Sequence, residues 1–256
     1  MSLRAQLETV GALMRRGLNE ILRVPGAAIP GVLAPTIFFL GLTAVFGNLT
    51  RLDGFGTNSY ESWLVPVSLM QAAGFTGAAT GVNLARDIEQ GWFDRLLASP
   101  ASRFSLLAGL VLSASFRVLI PATFLLIVAF SLGAHFPGVD GLLLTILIVM
   151  GMAVVASGWG VSLALRFKTQ SAAPLMQAGM LTVILCTTAY APLALLNGWL
   201  QEVARVNPVT QVLDAARQGF VGDVTWSGTW PGLLVLAGLA ALLTAVALRG
   251  MQRATY

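Results

Sequence analysis

Charge is scarce in this chain of 256 residues. Only 10% of the residues are Asp, Glu, Lys or Arg, 56% are hydrophobic, and the mean hydropathy is +0.80. A soluble domain carries about 25% charged residues, so most water-soluble classes are excluded. A single cysteine, Cys186, excludes a disulfide framework, and a single histidine, His135, excludes a two-histidine zinc site. The lipid bilayer is therefore the expected solvent for most of the chain.

Six long uncharged stretches are each long enough to cross a membrane. A helix needs about 20 residues to span a hydrocarbon core of about 30 Å. Runs such as Leu142 to Val155 are continuously apolar and lack the alternation of a membrane β-strand, which favours helices. The sequence predicts an all-α polytopic membrane protein with six transmembrane helices, at about residues 25–46, 62–85, 106–133, 141–165, 171–196 and 230–248.

Positive charge falls mainly on one side of this topology. Four arginines precede the first span, three lie between the second and third spans, and two cations follow each of the fourth and sixth spans. The other side carries only three arginines. Because Lys and Arg are retained on the cytoplasmic side, both termini are predicted to lie inside. This topology accounts for the excess of basic residues, so nucleic acid is not expected as a partner.

Residues 1–24 predict an amphipathic helix. Apolar residues recur there at spacings of three and four, at Leu3, Leu7, Val10, Met14, Leu18 and Ile21. Such a helix is expected to lie along the inner membrane surface until Pro25 turns the chain into the first span. Packing on a cytoplasmic partner is a second interpretation, and the two are compatible. The polar lead is too long for a cleaved signal peptide.

The only well-charged internal loop covers residues 86–104 and is predicted to lie inside. Four apolar residues share one face of a short helix there, which Pro100 ends: Ile88, Trp92, Leu96 and Leu97. Three charged residues are left to solvent or a partner: Asp87, Asp94 and Arg95. An aromatic knob with a charged rim suits a groove on another protein. A loop helix resting on lipid headgroups is the alternative interpretation.

The loop resembles the coupling loop of the ABC-2 family of transporter permeases, and more narrowly its drug-exporting, daunorubicin-resistance-like type. The shared pattern is an acid, a glycine four residues later, an Asp-Arg pair, a proline and a closing arginine, here Asp87, Gly91, Asp94, Arg95, Pro100 and Arg103. Other members commonly have Gly-Thr where this chain has Gly91-Trp92. A second segment resembles the family's outward-facing region, with Asn207-Pro208 followed by Asp214, Arg217 and Gly222.

The resemblance implies a non-catalytic permease subunit in the bacterial cytoplasmic membrane that exports a hydrophobic or amphipathic small molecule, either drug-like or a lipid. Its implied partners are two copies of a separate ABC ATPase, a second permease copy or a paralogue, and membrane lipid. The chain would divide into an interfacial helix (1–24) and an ABC-2 transmembrane domain (25–256), with short re-entrant helices in an outer segment, 197–229. The residues implied to couple to the ATPase are Asp87, Ile88, Glu89, Gly91, Trp92, Phe93, Asp94, Arg95, Leu96, Pro100 and Arg103.

The sequence has no nucleotide-binding motif of its own. A P-loop ends in Gly-Lys-Ser/Thr, whereas the only lysine, Lys168, follows Phe167. We therefore expect this chain to hold no cofactor, with ATP and magnesium bound by the partner ATPase.

Arg117 is the only full charge well within a predicted span. It costs about 2.5–3.5 kcal/mol at mid-bilayer, so it is expected to face protein or water. Either it contacts an anionic group of the substrate, or it clamps backbone carbonyls, Gln71 or Asn83. The resemblance suggests that the first, second and fifth spans surround the substrate route. Candidates for its lining, besides Arg117, are Gln71, Phe75, Gln177 and Met180, since such a mixture suits a bulky apolar ligand. Residues of these types also commonly satisfy neighbours within a helical bundle.

Three other functions compete with this interpretation. A carrier driven by an ion or proton gradient usually needs an acid inside a span, and every Asp and Glu here falls in a loop or at a span end. An ABC-2 exporter of a lipid-linked glycan would share the whole architecture. An intramembrane serine protease is disfavoured, because Ser157 and the only histidine, His135, occur in the reverse of the rhomboid order.

Overall fold

The computed structural model of the chain describes residues 3–23, 25–52, 55 and 57–253. Within these ranges the chain consists of α-helices and 3₁₀-helices that are connected by turns and irregular segments, and it contains no strand. This confirms the all-α prediction. The α-helices are α1 (Leu3–Arg23), α2 (Pro25–Phe46), α3 (Tyr60–Glu89), α4 (Trp92–Leu97), α5 (Arg103–Arg117), α6 (Leu119–Ser131), α7 (Gly138–Phe167), α8 (Ala173–Leu185), α9 (Gly198–Val206), α10 (Pro208–Arg217) and α11 (Trp226–Arg253).

Four helical segments in the described ranges are long and apolar enough to cross a membrane: Gly31–Arg51, Arg103–Ser131, Gly138–Phe167 and Trp226–Arg253. They fall on the predicted first, third, fourth and sixth spans. Within the third, α5 and α6 meet at Val118, whose backbone is itself right-handed helical. Pro121 has no N–H to bond to the carbonyl of Arg117, which explains the local break in an otherwise continuous rod.

The predicted fifth span, 171–196, is not one helix. α8 has 13 residues, or about 20 Å, and stops at Leu185, short of the hydrocarbon thickness of about 30 Å. The prediction of a continuous helix there was therefore wrong. The chain continues through an irregular segment, residues 186–192, before a short 3₁₀-helix at Leu193–Leu195.

Side chains from distant parts of the chain satisfy the backbone carbonyls of this irregular segment. Asn207 Nδ2 donates to the carbonyls of Val183 and Cys186, both at 2.8 Å. Arg217 Nη2 donates to the Thr188 carbonyl at 2.9 Å, and the Tyr60 hydroxyl to the Tyr190 carbonyl at 3.1 Å. Non-helical backbone at membrane depth is tolerated only where protein or water meets its polar groups. Side chains of the outer segment, which contains α9 and α10, therefore supply hydrogen bonds that the backbone loses where α8 ends.

The guanidinium of Arg217 has partners at both Nη atoms and on one face, whereas its Nε has no hydrogen-bond partner in the described ranges. Its carbon lies 3.7 Å from the centre of the Trp63 ring, and its Nη1 reaches Asp214 at 3.2 Å. Arg217 is only 5% exposed, and its contacts with a carboxylate, a carbonyl and an aromatic face offset the cost of removing the cation from water.

Glycines set the closest helix contact, between α3 and α7. A Cβ on Gly77 would lie 2.7 Å from the Ala153 carbonyl oxygen, and one on Gly81 would overlap the backbone of Gly160. Lipid gives helices little hydrophobic drive to associate, so close backbone approach supplies much of the packing attraction. α3 consequently lies at the centre of the bundle, with α2, α5, α6, α7 and α8 packed around it.

The helices α7 and α11 run in the same direction along a seam that repeats every seven residues. Leu236 fits against Gly151, and Leu243 fits against Gly158. At the third step the glycine changes helix, because Leu165 of α7 fits against Gly250 of α11. This register brings the carboxyl ends of the two helices to the same level.

The N-terminal helix α1 packs on its own chain. A Cβ on Gly109 of α5 would lie 2.8 Å from Leu13 Cβ, and one on Gly17 would lie 2.9 Å from Ser113 Oγ. Leu13 is buried, while Leu7 is 63% exposed. α1 therefore lies against α5 along one side and leaves apolar surface of its first turns uncovered.

We predict that Gly81→Ala destabilises the bundle, because the new methyl group has to displace backbone atoms of Gly160. We expect a loss of roughly 2–4 kcal/mol, the range of overpacked or strained core sites. The measurement is the midpoint of thermal aggregation followed by fluorescence-detected size exclusion. Gly41→Ala on α2 is the matched control, since a Cβ there meets nothing within 4 Å. Equal midpoints for the two variants would contradict the close contact.

Candidate functional site

The charged loop forms a hairpin whose turn depends on one glycine. α3 ends at Glu89, and Gly91 caps the amino end of α4 with φ +68°, in the left-handed region. A side chain at such a φ costs roughly 1–2 kcal/mol. A Cβ on Gly91 would meet nothing within 4 Å, so the requirement is one of backbone conformation and not of space. Arg103 closes the hairpin, because its Nη1 donates to the Leu97 carbonyl at the end of α4 at 2.8 Å.

The apolar face of α4 points into the protein. Phe93 is 3% exposed, and Ile88, Leu96 and Leu97 pack against the same buried cluster, which includes residues of α3 and α5. The predicted aromatic and aliphatic knob projecting into the cytoplasm was therefore wrong. Packing against the rest of the chain removes these apolar side chains from water, which is favourable. What remains exposed on the hairpin is Arg86, Glu89, Gln90, Asp94, Arg95, Ala98, Pro100 and Phe104.

Asp87 and Trp92 are held by an arginine of α1. Arg16 Nη2 donates to both carboxylate oxygens of Asp87, at 2.9 and 3.0 Å. The guanidinium carbon of Arg16 also lies 3.7 Å from the centre of the Trp92 ring. A charge-assisted bond and a cation–π contact thus share one cation. We call Arg16, Asp87 and Trp92 the clasp.

The clasp corrects two expectations from the sequence. Asp87 was predicted to face solvent or a partner, yet its side chain is only 12% exposed. Trp92 was predicted as the tip of the knob, yet it is half-buried under Arg16. Arg16 itself was not singled out, because 71 residues separate it from Asp87 and no local spacing connects them.

Glu89 fastens the hairpin to the connection between α7 and α8. Its carboxylate accepts from the Gln170 amide at 2.6 Å, the Thr169 hydroxyl at 2.8 Å and the Gln170 N–H at 2.9 Å. The Gln170 side chain, then the Thr169 hydroxyl and the Gln170 N–H, lower the pKa of Glu89 below its ordinary value. Because the pKa is lower in the folded state, the contact contributes stability at neutral pH and loses it as pH falls through the lowered pKa.

Three of the predicted substrate-route residues meet in one crevice. Gln71 and Phe75 of α3 face Gln177 of α8 there, together with Gly74, Leu181 and Ile184. As the helices stand, the crevice is too narrow to admit a water molecule. Met180 is buried behind it, with its Cγ 3.3 Å from where a Gly74 Cβ would lie.

Gln71 carries a polar atom suited to a ligand. Its Nε2 donates to the Tyr190 hydroxyl at 3.4 Å, a long contact, and the side chain is 2% exposed. Within the described ranges its Oε1 has no hydrogen-bond partner. An unsatisfied buried acceptor is costly, and a donor on a bound molecule would satisfy it.

Arg117 lies apart from this crevice. It is 4% exposed, its Nη2 donates to the Thr80 hydroxyl, and it borders a second crevice together with Asn83, Arg16 and Asp87. The structure thus places it behind the clasp, where it joins α5 to α3. This position agrees with a clamp between helices, although through Thr80 and not through Gln71.

The chain belongs to the ABC-2 type transporter family, whose model matches residues 8–221. Permeases of this kind are subunits that associate with ABC ATPase subunits, and no enzyme family is indicated.

Several curated relatives are similar to the chain. The "Probable multidrug ABC transporter permease YbhR" of Escherichia coli is 27% identical over 195 residues, which are 72% of this chain and 51% of that protein. The chain therefore spans about half the length of that relative. The "Putative transport permease ycf38" of Cyanophora paradoxa is 24% identical over 82% of this chain and 73% of its own length. The "Probable doxorubicin resistance ABC transporter permease protein DrrC" of Mycobacterium tuberculosis is 25% identical over 95% of this chain and 86% of its own length.

We predict that Arg16→Gln loosens α1 from the hairpin, because it leaves the buried Asp87 carboxylate without its cation. Losing such a partner costs about 1–3 kcal/mol, so amide hydrogen exchange in α1 and in residues 86–97 should quicken by about tenfold or more. Hydrogen–deuterium exchange followed by mass spectrometry measures this. Arg15→Gln is the control, since the neighbouring Arg15 is exposed. Similar exchange in both variants would show that the clasp does not hold α1.

Proposed function

We propose that this chain is the transmembrane permease subunit of an ATP-driven exporter in the bacterial cytoplasmic membrane. Two copies of a separate ABC ATPase drive it, and a second permease copy or a paralogue completes the transporter. Its cargo is a hydrophobic or amphipathic small molecule, either drug-like or a lipid. The family match supports the transport class, and the printed names of the Escherichia coli and Mycobacterium tuberculosis relatives support a drug-like cargo.

The proposed topology has six spans with both termini inside. α2, α3, the α5–α6 rod, α7 and α11 supply five, and α8 with the irregular segment after it supplies the sixth crossing. α3 is long enough for a span at 30 residues, or about 45 Å, although its polar residues make it less apolar than the other long helices. The distribution of arginines supports an orientation with the hairpin, α1 and the carboxyl ends of α7 and α11 on the cytoplasmic side.

One observation carries the proposal: both walls of the crevice are fastened to the hairpin. α3 runs without interruption from Gln71 and Phe75 to Asp87 and Glu89, about 24 Å further along the helix. Glu89 in turn holds Thr169 and Gln170, directly before α8, which carries Gln177. A push on the hairpin is therefore delivered to α3 and α8 together.

The exposed side of the hairpin is the proposed contact with the ATPase. Asp94, Arg95 and Pro100 are exposed, whereas Trp92 and Phe93 are engaged within the chain. A charged pair beside a proline gives a polar docking surface whose position is fixed from behind by the clasp. Closure of the ATPase dimer on ATP would move this surface, and the rigid helices would open the crevice to alternate sides.

The crevice is the proposed cargo route. Its amides, aromatic ring and neighbouring methionine combine apolar surface with a few directional groups, as ligand sites commonly do. Binding requires α3 and α8 to separate, because the closed crevice has no room even for water.

We predict that exchanging the hairpin charges, in the double variant Asp94→Arg with Arg95→Asp, lowers cargo-stimulated ATP hydrolysis by about tenfold or more. The exchange keeps the net charge but reverses the pattern offered to the ATPase, so like charges would face each other, which costs several kcal/mol at an interface. The assay is ATP hydrolysis by the permease co-purified with its ATPase in proteoliposomes. The matched control exchanges another exposed pair, Arg4→Glu with Glu8→Arg on α1.

Full stimulated activity in the exchanged hairpin would refute the coupling role. Vesicles holding the permease alone, with a proton gradient and no ATPase, give the second readout. Uptake of labelled cargo there would favour the rival interpretation, a carrier driven by the gradient.

We predict that Gln71→Leu changes which cargo stimulates the transporter. The variant removes the unsatisfied Oε1, so cargo that donates a hydrogen bond should lose about tenfold in apparent affinity, while purely apolar cargo is unchanged. Stimulation of ATP hydrolysis by a panel of drug-like compounds measures this. Thr182→Val serves as control, because Thr182 is on the exposed side of α8 and bonds its own helix. An identical profile in all three proteins would exclude Gln71 from the route.

A further inference from the structure

A groove of about 610 Å³ lies between the carboxyl ends of α7 and α11. It has no lining residue in common with the crevice or the hairpin. Four cations border it: Arg166, Lys168, Arg249 and Arg253. The opposite part of its lining is apolar and includes Leu163, Leu243 and Val246. The groove thus combines a cluster of cations with a lining that is otherwise mainly apolar, apart from Ser162 and the Trp159 indole.

The seam between α7 and α11 explains why the cations gather. Leu165 and Gly250 meet at its last step, and Arg166 and Arg249 directly flank that pair in the sequence. Each helix end carries the equivalent of about half a negative charge, which favours cations nearby. Two helix ends offset about one of the four positive charges, so a net positive cluster remains.

No carboxylate within the described ranges forms an ion pair with a groove cation. Ion pairs between described side chains join Arg4 to Glu8, Arg16 to Asp87, Arg205 to Glu202 and Arg217 to Asp214. None of them involves a cation of the groove. All four groove cations are exposed, so their side chains are accessible to an anion.

The apolar wall indicates what kind of anion fits. Val246 is 43% exposed, and the outer surface of α11 beyond it continues with Leu242, at 59%. A free phosphate would use the cations alone and leave this wall bare. A phospholipid uses both parts, with its phosphate at the cations and its acyl chains along the leucines and valine.

We propose that the groove binds one anionic phospholipid of the cytoplasmic leaflet as a resident ligand, distinct from the cargo. The inference rests on the proposed orientation, in which these helix ends lie at the cytoplasmic surface, and not on the proposed coupling or cargo. That leaflet holds the anionic lipids, and each Lys or Arg near it strengthens attraction. The bound lipid would neutralise the cluster and bridge α7 to α11 where their seam ends.

The test is native mass spectrometry of the full-length permease, purified without ATPase and titrated with phosphatidylglycerol, phosphatidylcholine or inorganic phosphate. We expect phosphatidylglycerol to bind about tenfold or more tightly than phosphatidylcholine. Arg166→Gln with Arg249→Gln should weaken phosphatidylglycerol by about tenfold or more. The control pair Arg4→Gln with Arg15→Gln removes the same charge from exposed positions of α1 and should change it less than about twofold.

A second variant fills the groove without changing its charge. Val246→Trp should weaken phosphatidylglycerol to a similar extent, whereas Leu234→Trp, on the exposed face of the same helix, should not. This pair keeps the test decisive where the arginine variant fails to fold.

Four results would overturn the proposal. The first is equal affinity for phosphatidylglycerol and phosphatidylcholine. The second is an equal loss of phosphatidylglycerol affinity in the groove variants and the control variants. The third is displacement of phosphatidylglycerol by inorganic phosphate at a concentration similar to that at which the lipid binds. The fourth is loss of ATPase co-purification with lipid binding intact, which would assign the groove to the ATPase. Since the lipid titration involves neither ATP nor cargo, its failure leaves the coupling and cargo proposals standing.

Discussion

The backbone contact between α3 and α7 is the constraint on which the rest of the molecule depends. Gly77 and Gly81 let the two helices meet almost main chain to main chain, which only residues without a bulky side chain permit. Fixed in this way, α3 becomes the axis of the bundle. The hairpin continues from one end of it, the crevice lies along its middle, and Tyr60 and Trp63 hold the outer segment at the other end.

Polar side chains also replace hydrogen bonds that the backbone lacks where helices end. Asn207, Arg217 and Tyr60 satisfy the carbonyls that the early end of α8 leaves open, and Arg103 does the same for α4. These side chains are individually expensive to bury, but each has partners that offset the cost. The Asn207-Pro208 segment is therefore structural in its visible contacts, even though its resemblance to relatives first singled it out.

The sequence predicted the elements that depend on local composition and missed those that depend on distant partners. The first span was predicted at 25–46 and α2 covers Pro25–Phe46, because an uncharged run bounded by polar residues is a local signal. The early end of α8 was missed, since an apolar run looks the same whether its carbonyls are bonded within the helix or by Asn207 further along the chain. The inward turn of α4 was missed for a similar reason: helical periodicity gives a face but not its direction. Gln71, Phe75 and Gln177 were brought together as expected, while Arg117 was placed elsewhere by Thr80.

The length of α3 has a consequence for how such transporters diversify. The residues of α3 that would meet cargo, Gln71 and Phe75, stand several turns away from the end of that helix, from which the hairpin that would meet the ATPase continues. Substitutions in the crevice can therefore accumulate without disturbing the hairpin, as long as the glycines facing α7 are kept. The same helical scaffold can thus serve chemically unrelated cargo while its contact with the ATPase stays unchanged.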